Sequence, residues 1–293
     1  MDLSKPYYTI VPWSFDWWLP LIVSCVAHFF VFWFAWYRKD NAMVDVQWGL
    51  SYIYGNLAIL IVRTQHDGVV DARVVILNVL IAIWGLRMTI HVALRTKKGQ
   101  EDRRFVVIRE QVTEKAGIVV FFCFSLFGIW MGNALFINII NGSALYISMY
   151  STALYPLSYL DFLGILIWAI GFTILTISDH QLRLFKNKRD RNETNGERLC
   201  KTGMWKYSMH PNYFGEALLW WGIYLMACAV EGGWKTLWAP VLINVLLRFV
   251  SGVPLIEQLY KDDAEFAEWK SKTNVFVPFR PKITHVDAVD DKN

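Results

Sequence analysis

Apolar residues in this chain are concentrated in seven long runs that are separated by polar segments. A helix needs roughly 20 mostly apolar residues to cross the hydrocarbon core of a membrane. The runs of about that length are 16–37, 44–62, 74–94, 118–140, 159–178, 213–230 and 234–250. The pattern therefore predicts an all-α integral membrane protein with seven transmembrane helices.

The same pattern predicts a single membrane domain over the whole chain, 1–293. Residues 1–15 form an N-terminal segment, and residues 16–250 form the seven-helix core. Residues 251–282 are expected to pack at the cytosolic mouth of that core. Residues 283–293 are polar and lie at the chain end, so we expect a disordered tail.

Basic residues orient the predicted helices, because cytosolic loops carry the excess of Lys and Arg. With the N-terminus outside, 23 of the 29 Lys and Arg fall on the inner side and 4 on the outer side. We therefore predict an outer N-terminus and a C-terminus on the cytosolic side. The basic residues lie next to apolar runs and not on a separate domain, which argues against nucleic-acid binding. The charge pattern does not distinguish the endoplasmic reticulum from a bacterial or mitochondrial inner membrane.

The sequence predicts neither a metal site nor a soluble cofactor domain. The four cysteines, Cys25, Cys123, Cys200 and Cys228, are far apart and have no metal-ligand spacing, so we expect reduced, structural thiols. No glycine-rich dinucleotide fingerprint or P-loop occurs in the sequence. Any dinucleotide would therefore bind without a Rossmann domain.

Polar side chains in or beside the predicted helices fall at their cytosolic ends. They are Asp45, Gln47, Arg87, His91, Ser178, Asp179, Glu216 and Arg248. Ionisable groups at membrane depth are costly and usually face a cavity or one another, so we predict a polar pocket that opens to the cytosol. Alternatively, the side chains only reach from helix ends to the interface. That alternative explains the long Arg87 better than the short carboxylates of Asp45 and Glu216.

The stretch at 203–216, GMWKYSMHPNYFGE, joins a basic segment to the sixth apolar run. Proline is favoured in the first turn of a helix, so His210-Pro211-Asn212 predicts a helix start. A helix N-terminus presents unpaired N–H groups and a partial positive charge, which suit a phosphate-bearing cofactor. The alternative is an ordinary membrane helix flanked by the basic residues that set topology.

These motifs resemble the membrane-bound steroid 5-alpha-reductase family, and within it the DUF1295 branch. The resemblance is carried by DVQWG at 45–49, WGLR at 84–87, GQEDRRF at 99–105, ISDHQL at 177–182, GMWKY at 203–207 and HPNYFGE at 210–216. It implies NADPH-dependent reduction of a carbon–carbon double bond conjugated to a carbonyl. The implied partners are a lipophilic, steroid-like or isoprenoid substrate and membrane lipid, and a membrane protein complex stays open.

The resemblance also implies roles for individual residues. Cofactor binding falls on Asp179, Arg183, Arg198, Tyr207, His210, Asn212, Glu216 and Arg248. Asp45 and Trp84 occupy the places of the glutamate and tyrosine that hold the substrate carbonyl in the steroid enzymes. A protonated carboxyl at Asp45 in a dry pocket would stabilise the developing enolate.

One position departs from the pattern of the branch. Met209 stands where an arginine usually precedes His-Pro-Asn, and the missing arginine would remove a charge-assisted hydrogen bond to a cofactor phosphate. On that interpretation Met209→Arg should tighten NADPH binding. Two alternatives remain: a non-catalytic, reductase-like subunit that binds lipid or partner proteins, and an S-adenosylmethionine-dependent membrane methyltransferase with a related His-Pro motif.

Overall fold

The computed structural model describes residues 13–67, 71–96, 101–153 and 156–280, and within those ranges the regular structure is helical, without strands. The chain forms two compact units. The first unit comprises Met1–Leu157 and Val230–Thr236, and the second comprises Ser158–Ala229 and Leu237–Asn293. The expectations for the first 12 residues and for the tail at 283–293 lie outside the described residues. The expectation of one continuous domain stays a prediction.

The first unit is a group of helices whose limits follow the apolar runs. They are α1 (Trp13–Arg38), α2 (Met43–Asp67), α3 (Ala72–Thr96), α4 (Arg103–Cys123), α5 (Gly132–Ile140) and α6 (Gly142–Tyr150), with a π-helical segment, Phe124–Met131, between α4 and α5. Within α4, Gly117 has φ 84° and ψ 167°, which separates an amphiphilic first part from the apolar part that follows. The helix α6 follows α5 directly and lies between the fourth and fifth predicted spans.

The second unit contains α7 (Tyr159–Asp190), α8 (Pro211–Cys228), α9 (Trp238–Val245), α10 (Val253–Leu259) and α11 (Ala264–Lys272). Short 3₁₀ turns lie at Gly203–Lys206 and Gly233–Leu237, and a π-helical segment follows α9 at Leu246–Val250. Asp161 caps the start of α7, because its Oδ2 accepts hydrogen bonds from the Ser158 N–H at 2.7 Å and from Ser158 Oγ at 3.0 Å. Such a cap satisfies N–H groups that the helix itself leaves unpaired.

Five helical segments among the described residues are long and apolar enough to cross a membrane. They are Trp17–Arg38, Ala72–Leu94, Arg103–Ile140, Tyr159–Asp190 and Gly233–Leu259. The other two predicted spans are present as α2 and α8. However, α2 carries Gln47, Ser51 and Asn56, and α8 begins with Asn212 and Glu216, so neither is apolar throughout. The count of seven spans and the orientation of the termini stay predictions.

Glycines allow the backbones of α7 and α8 to touch. Gly164 and Gly171 lie two turns apart on α7, and Gly215 and Gly222 lie two turns apart on α8. A Cβ at Gly215 would lie 2.7 Å from the backbone oxygen of Gly171, and one at Gly222 would lie 2.5 Å from that of Gly164. Small residues permit this close packing in membrane helices. The contact fixes the end of α7 against the start of α8.

A buried ion cluster ties the end of α6 to the start of α3 in the first unit. Arg73 and Asp71 are 2% and 6% exposed, which requires that their charges be compensated. Arg73 Nη1 donates to Ser151 Oγ at 2.8 Å, and Ser151 Oγ in turn donates to Asp71 Oδ2. Arg63 donates to the carbonyl oxygens of Ser148 and Ser151 at 2.8 and 2.7 Å. The hydrogen bonds of these side chains described above are made within the protein, where they stabilise the fold.

Candidate functional site

The stretch at 203–216 forms a helix start, as the sequence predicts. His210 is the N-cap residue of α8 and Pro211 is its first residue. Ser178 and Asp179 lie beside this start because α7 packs closely on α8. Asn212 Nδ2 donates a hydrogen bond to Asp179 Oδ1 at 3.0 Å. The structure thus brings together two residues that are 33 positions apart and that the resemblance assigns to cofactor binding.

Several buried polar atoms at this helix start have no hydrogen-bond partner among the described residues. They are Nε2 of His210, Oδ1 of Asn212 and Oγ of Ser178. His210 is 4% exposed and Ser178 is fully enclosed. Leaving a buried polar group without a partner costs about 1–3 kcal/mol. Three such atoms belong to the two motifs at 177–182 and 210–216, so they need an explanation. A polar ligand that bonds to them supplies one.

The imidazole of His210 is enclosed and stacked. Its ring lies parallel to that of Tyr213, with centroids 5.4 Å apart. Burial lowers the pKa of His210 from 6.5 to about 4; the charge of Glu257 opposes this shift, and the charges of Arg248 and Lys270 add to it. His210 is therefore neutral at physiological pH. A neutral imidazole offers one N–H donor and one acceptor nitrogen.

The C-terminal segment holds the loop that precedes α8. Ser208 Oγ donates to the Phe276 carbonyl oxygen at 2.7 Å and accepts from the His210 N–H at 3.0 Å. The N–H of Met209 donates to the Asn274 carbonyl oxygen at 2.8 Å. Residues 274–276 therefore fix the backbone of His210 through Ser208. Sequence reasoning missed Ser208, because a serine two positions before His210 carries no signal for a partner 68 positions away.

The other residues assigned to the cofactor are distributed over α7, α8 and the segment after α9. Arg183, on the turn of α7 after Asp179, has Nη2 at 3.1 Å from Nδ1 of His180. Glu216 Oε1 accepts from Trp220 Nε1 at 3.0 Å. The guanidinium of Arg248 lies 5.1 Å from the ring centre of Phe249, and the side chain of Tyr207 is 42% exposed.

Arg198 is committed to carboxylates of the C-terminal segment. Its Nη2 donates to Asp263 Oδ1 at 2.8 Å, and its Nε lies 3.5 Å from Glu265 Oε2. Lys201 also binds Glu265, at 2.8 Å, and this hydrogen bond lowers the pKa of the Glu265 carboxyl. A phosphate would have to compete with two carboxylates for Arg198, so Arg183 is the better placed of the two arginines.

Met209 lies in an apolar cluster, which changes the interpretation of this position. Its side chain is 1% exposed and packs with Leu199 and Phe266. An arginine here would bury a charge among apolar groups, which is costly without a partner. The expectation that Met209→Arg tightens NADPH binding therefore does not fit its surroundings, and we expect this substitution to destabilise the second unit instead.

In the first unit, Asp45 is bound to an arginine. Arg104 Nη2 lies 3.0 Å from Asp45 Oδ2, and the same guanidinium binds both oxygens of Asp102 through Nε and Nη2 at 3.0 Å. The side chain of Asp45 is 29% exposed. The dry, protonated carboxyl that the sequence resemblance implies at Asp45 stays a prediction, and in this structure the side chain is partly exposed and paired with Arg104.

Trp84 and Gln47 are enclosed by neighbours in the same unit. The indole of Trp84 is 1% exposed and meets Tyr52 edge to face, with ring centres 4.9 Å apart. Gln47 Nε2 donates to Tyr54 Oη at 2.6 Å, and Ser51 Oγ lies 2.6 Å from the same hydroxyl. Trp84 thus packs as a core side chain. The convergence of these groups with those of α7 and α8 stays a prediction, because the two sets belong to different units.

The polar groups at the start of α8 fit a phosphate-bearing nucleotide. The helix N–H groups, a ring N–H of neutral His210 and nearby Arg183 can donate to phosphate, whereas the amide oxygen of Asn212 can accept from a donor elsewhere on the ligand. No group of three or more His, Cys, Asp or Glu side chains with metal-ligand geometry occurs among the described residues. The four cysteines are free, as predicted, and burial raises the pKa of the Cys200 thiol.

Comparison with known proteins relates this chain to membrane enzymes of two kinds. A family model described as "Protein of unknown function (DUF1295)" matches residues 31–273. Protein-S-isoprenylcysteine O-methyltransferase of Saccharomyces cerevisiae is 30% identical over 125 residues, which are 40% of this chain and 48% of that protein. The 3-oxo-5-alpha-steroid 4-dehydrogenases 1 of Bos taurus and Rattus norvegicus are 31% and 28% identical over 117 and 116 residues, in each case 40% of both chains.

The matches with these relatives are partial. The chain spans less than half the length of each of the three curated relatives. No solved structure matches it significantly. The resemblance seen in the motifs is thus confirmed at the level of the family, and the relatives leave both a reductase and a methyltransferase as models for its chemistry.

Proposed function

We propose, because this chain belongs to the DUF1295 family of membrane proteins, that it is an NADPH-dependent reductase of a carbon–carbon double bond conjugated to a carbonyl. The substrate is lipophilic, of steroid-like or isoprenoid character. Three curated relatives are 3-oxo-5-alpha-steroid 4-dehydrogenases, and their name describes this class of reaction. The membrane-embedded fold suits a substrate that partitions into lipid.

One observation carries the proposal: the unused hydrogen-bonding capacity at the start of α8. His210 Nε2 and Asn212 Oδ1 are buried and have no partner among the described residues. Such atoms are costly unless a ligand or water completes them. They lie beside a helix N-terminus, which favours an anionic group such as a pyrophosphate.

Each residue at this site has a definable task. Asp179 orients the amide of Asn212, so that the Asn212 carbonyl oxygen accepts from the ligand. Neutral His210 holds a ligand donor or acceptor at Nε2, while Arg183 supplies the cationic charge for phosphate. Tyr207, Glu216 and Arg248 complete the proposed cofactor set, and Arg198 contributes more weakly because of its carboxylate partners. When bound, NADPH supplies a hydride to the conjugated double bond.

The substrate carbonyl is proposed to lie at the start of α2, near Asp45. Trp84, which is enclosed in the core, contributes to the shape of this region. Polarising the carbonyl oxygen makes the double bond a better hydride acceptor, because negative charge develops on that oxygen. Which side chain polarises it is a separate question from which cofactor is used.

The proposal is tested by nucleotide binding to protein purified in detergent. Calorimetry should show binding of NADPH and weaker binding of NADH. Mass spectrometry of the released ligand should identify NADP(H) in the protein as isolated. Adding a 3-oxo-4-ene steroid or a long-chain 2-enone should then cause oxidation of NADPH. Protein that binds no NADPH in any of these assays would refute the reductase proposal.

A methyltransferase is the second candidate, and the relation to protein-S-isoprenylcysteine O-methyltransferase favours it. Calorimetry with NADPH and with S-adenosylmethionine distinguishes the two candidates. S-adenosylmethionine carries no phosphate, so it does not depend on the proposed phosphate contacts. Binding of S-adenosylmethionine without binding of NADPH would replace the reductase with a methyltransferase. If neither NADPH nor S-adenosylmethionine binds and only lipid co-purifies, the chain is a non-catalytic membrane subunit.

A further inference from the structure

The carboxyl group of Glu101 lies in the first unit, in the segment before α4, and the proposed cofactor site does not use it. Its side chain is 6% exposed. Its Oε1 accepts hydrogen bonds from the Asn41 N–H and from Arg109 Nη2, both at 2.7 Å. Its Oε2 is buried and has no hydrogen-bond partner among the described residues. One oxygen of this carboxyl group is thus fixed by the protein, and the other keeps its capacity to accept.

The groups that bind Glu101 Oε1 are themselves anchored within the first unit. Asn41 is 2% exposed, and its Oδ1 accepts from Ser125 Oγ at 2.9 Å and from Trp130 Nε1 at 3.1 Å. These contacts join the turn between α1 and α2 to the π-helical segment after α4. The position of the unpartnered oxygen is therefore set before any ligand arrives, which lowers the entropy cost of binding.

The charges that act on Glu101 leave an excess of negative charge. Arg109 is one guanidinium beside this carboxyl group, and Asp40 adds a second carboxylate. Burial raises the pKa of Glu101; the Asn41 N–H and the charge of Arg109 oppose this shift, and the charge of Asp40 adds to it. A cation that donates to Oε2 would both compensate this charge and complete the hydrogen bonding of the oxygen.

Two further polar groups lie on one face of α4. Thr113 is one turn after Arg109, so the two side chains are neighbours on the helix surface. Its Oγ1 is buried and has no partner within the part of the chain that the structure describes. The hydrogen bonds described for Arg109 use Nη2, and its side chain is 26% exposed. The remaining N–H groups of this guanidinium can donate to an anion at the surface.

The position of these groups along α4 indicates the kind of ligand. Gly117 separates the amphiphilic residues 103–116 from the apolar residues that follow. Arg109 and Thr113 therefore lie at the polar border of a segment that is long and apolar enough to cross a membrane. Lipid head groups occupy this depth. An aminophospholipid headgroup carries an ammonium and a phosphate a short distance apart, which matches a carboxylate beside an arginine.

We propose that Glu101, Thr113 and Arg109 form a binding site for the headgroup of a phospholipid that carries a primary ammonium group. The ammonium donates to Glu101 Oε2 and Thr113 Oγ1, and the phosphate accepts from Arg109. A choline headgroup fits less well, because its quaternary ammonium has the same charge but no N–H to donate. The site lies within the first unit and does not depend on the proposed reductase function.

Native mass spectrometry of the full chain in detergent tests the proposal, with titrations of dioleoyl phosphatidylethanolamine and dioleoyl phosphatidylcholine. We expect the parent to bind the ethanolamine lipid about tenfold or more tightly than the choline lipid, the scale of one charge-assisted hydrogen bond. Glu101→Gln keeps one amide oxygen for Asn41 and Arg109 but places a donor where Oε2 was. This variant should bind both lipids equally.

Two further variants complete the comparison. Thr113→Val removes the hydroxyl at nearly constant volume, and we expect it to reduce the preference by less than Glu101→Gln does, because a neutral hydrogen bond is weaker than a charged one. Glu110→Gln, at an exposed position of α4, is the matched control for a lost carboxylate and should keep the parent's preference.

Thermal unfolding in the presence of each lipid gives a second measurement, because a ligand that binds the folded state stabilises it. The ethanolamine lipid should raise the melting temperature more than the choline lipid in the parent and in Glu110→Gln. The two lipids should have equal effects in Glu101→Gln. If Glu101→Gln does not fold, Thr113→Val decides, since a reduced preference is expected there as well.

Three outcomes would overturn the proposal. The first is equal affinity of the parent for the two lipids. The second is an undiminished preference in Glu101→Gln and Thr113→Val. The third is displacement of the bound lipid by soluble phosphoethanolamine at the same concentration, which would assign the site to a soluble amine.

Discussion

Asp45, at the start of α2, lies 3.0 Å from an arginine, whereas Asn212, at the start of α8, keeps a buried carbonyl oxygen without a partner among the described residues. Both residues belong to motifs that resemble one enzyme family. In the first region the charged groups already compensate one another. In the second region the enclosed polar atoms still need a ligand.

The difference shows what a motif match can and cannot say about chemistry. The match includes Asp45 and Asn212, which both lie near helix starts, but the role of each side chain depends on the partners that the fold supplies. The charge of a carboxylate that is paired with an arginine is already compensated. A histidine enclosed without a partner becomes a candidate ligand contact.

The largest expected effect comes from a substitution that forces α7 and α8 apart. It would disrupt the polar groups at the start of α8 and leave those at the start of α2 unchanged. Gly215→Ala places a Cβ 2.6 Å from the Leu175 backbone nitrogen, and overpacking of this kind costs about 1–3 kcal/mol or more. We expect a lower melting temperature in detergent and loss of nucleotide binding. Gly132→Ala is the control, since its Cβ would have an ordinary 3.6 Å contact. Equal stability of the two variants would contradict the close helix packing.

Asn212→Ala tests the second region without disturbing helix packing. It removes the bond to Asp179 and the free amide oxygen, so we expect NADPH affinity to fall by roughly a hundredfold or more, on the scale of 1.4 kcal/mol per tenfold. Asn187→Ala on the exposed surface of α7 is the matched control. Calorimetry compares the two, and unchanged affinity in Asn212→Ala would remove the cofactor site from α8.

The lowered pKa of His210, at the start of α8, predicts that the stability of the folded protein depends on pH. Because burial lowers this pKa to about 4, the folded protein keeps His210 neutral while the unfolded chain binds a proton below pH 6.5. This contribution to stability is full above 6.5 and is lost as the pH falls towards 4. Linkage gives a loss of about 2 kcal/mol between pH 7 and pH 5.

Thermal unfolding of the parent and of His210→Gln at several pH values measures this loss. Glu257, Arg248 and Lys270 act on His210 in both directions, but they remain in the variant. The two stability curves should therefore converge as the pH falls from 7 to 5. Parallel curves would show that His210 is solvated or has a partner.

The smallest expected effect separates the two arginines of the proposed cofactor set. Arg198 already binds Asp263 and Glu265, whereas the hydrogen bond described for Arg183 is to a ring nitrogen of His180. We expect Arg183→Ala to lower NADPH affinity by about tenfold, within the range of one charge-assisted hydrogen bond, and Arg198→Ala to lower it by less. Titrations at low and high salt compare them; the reverse order would assign Arg198 to the phosphate.

Much of the fold was predictable because helices in lipid leave a local signature. The runs at 44–62, 74–94 and 213–230 became α2, α3 and α8, with ends shifted by a few residues. The helix α6 was missed because its nine residues are too few to form an apolar run of membrane-spanning length. Its serines are buried and bind distant residues; Ser148 Oγ, for example, donates to Asn56 Oδ1 at 3.1 Å. The local sequence pattern does not indicate these hydrogen bonds.

The candidate site was predictable only in part. The Pro211 helix start and the nearness of Asp179 to Asn212 followed from the motifs. The glycine spacing on α7 and α8 was visible in the sequence and would have indicated their contact. The apolar surroundings of Met209 and the carboxylate partners of Arg198 were not visible, because they come from residues of the C-terminal segment.

The sequence by itself determined which segments form apolar helices, since every backbone polar group in lipid must be satisfied within its own helix and this requirement acts locally. The tertiary structure alone decided which polar side chains are paired within the protein and which keep hydrogen-bonding capacity for a ligand. Arg104 reaches Asp45 across 59 positions, and His210 loses its solvent only when the surrounding segments close over it. Charge pairing and burial depend on distances between elements, and a linear pattern does not contain those distances.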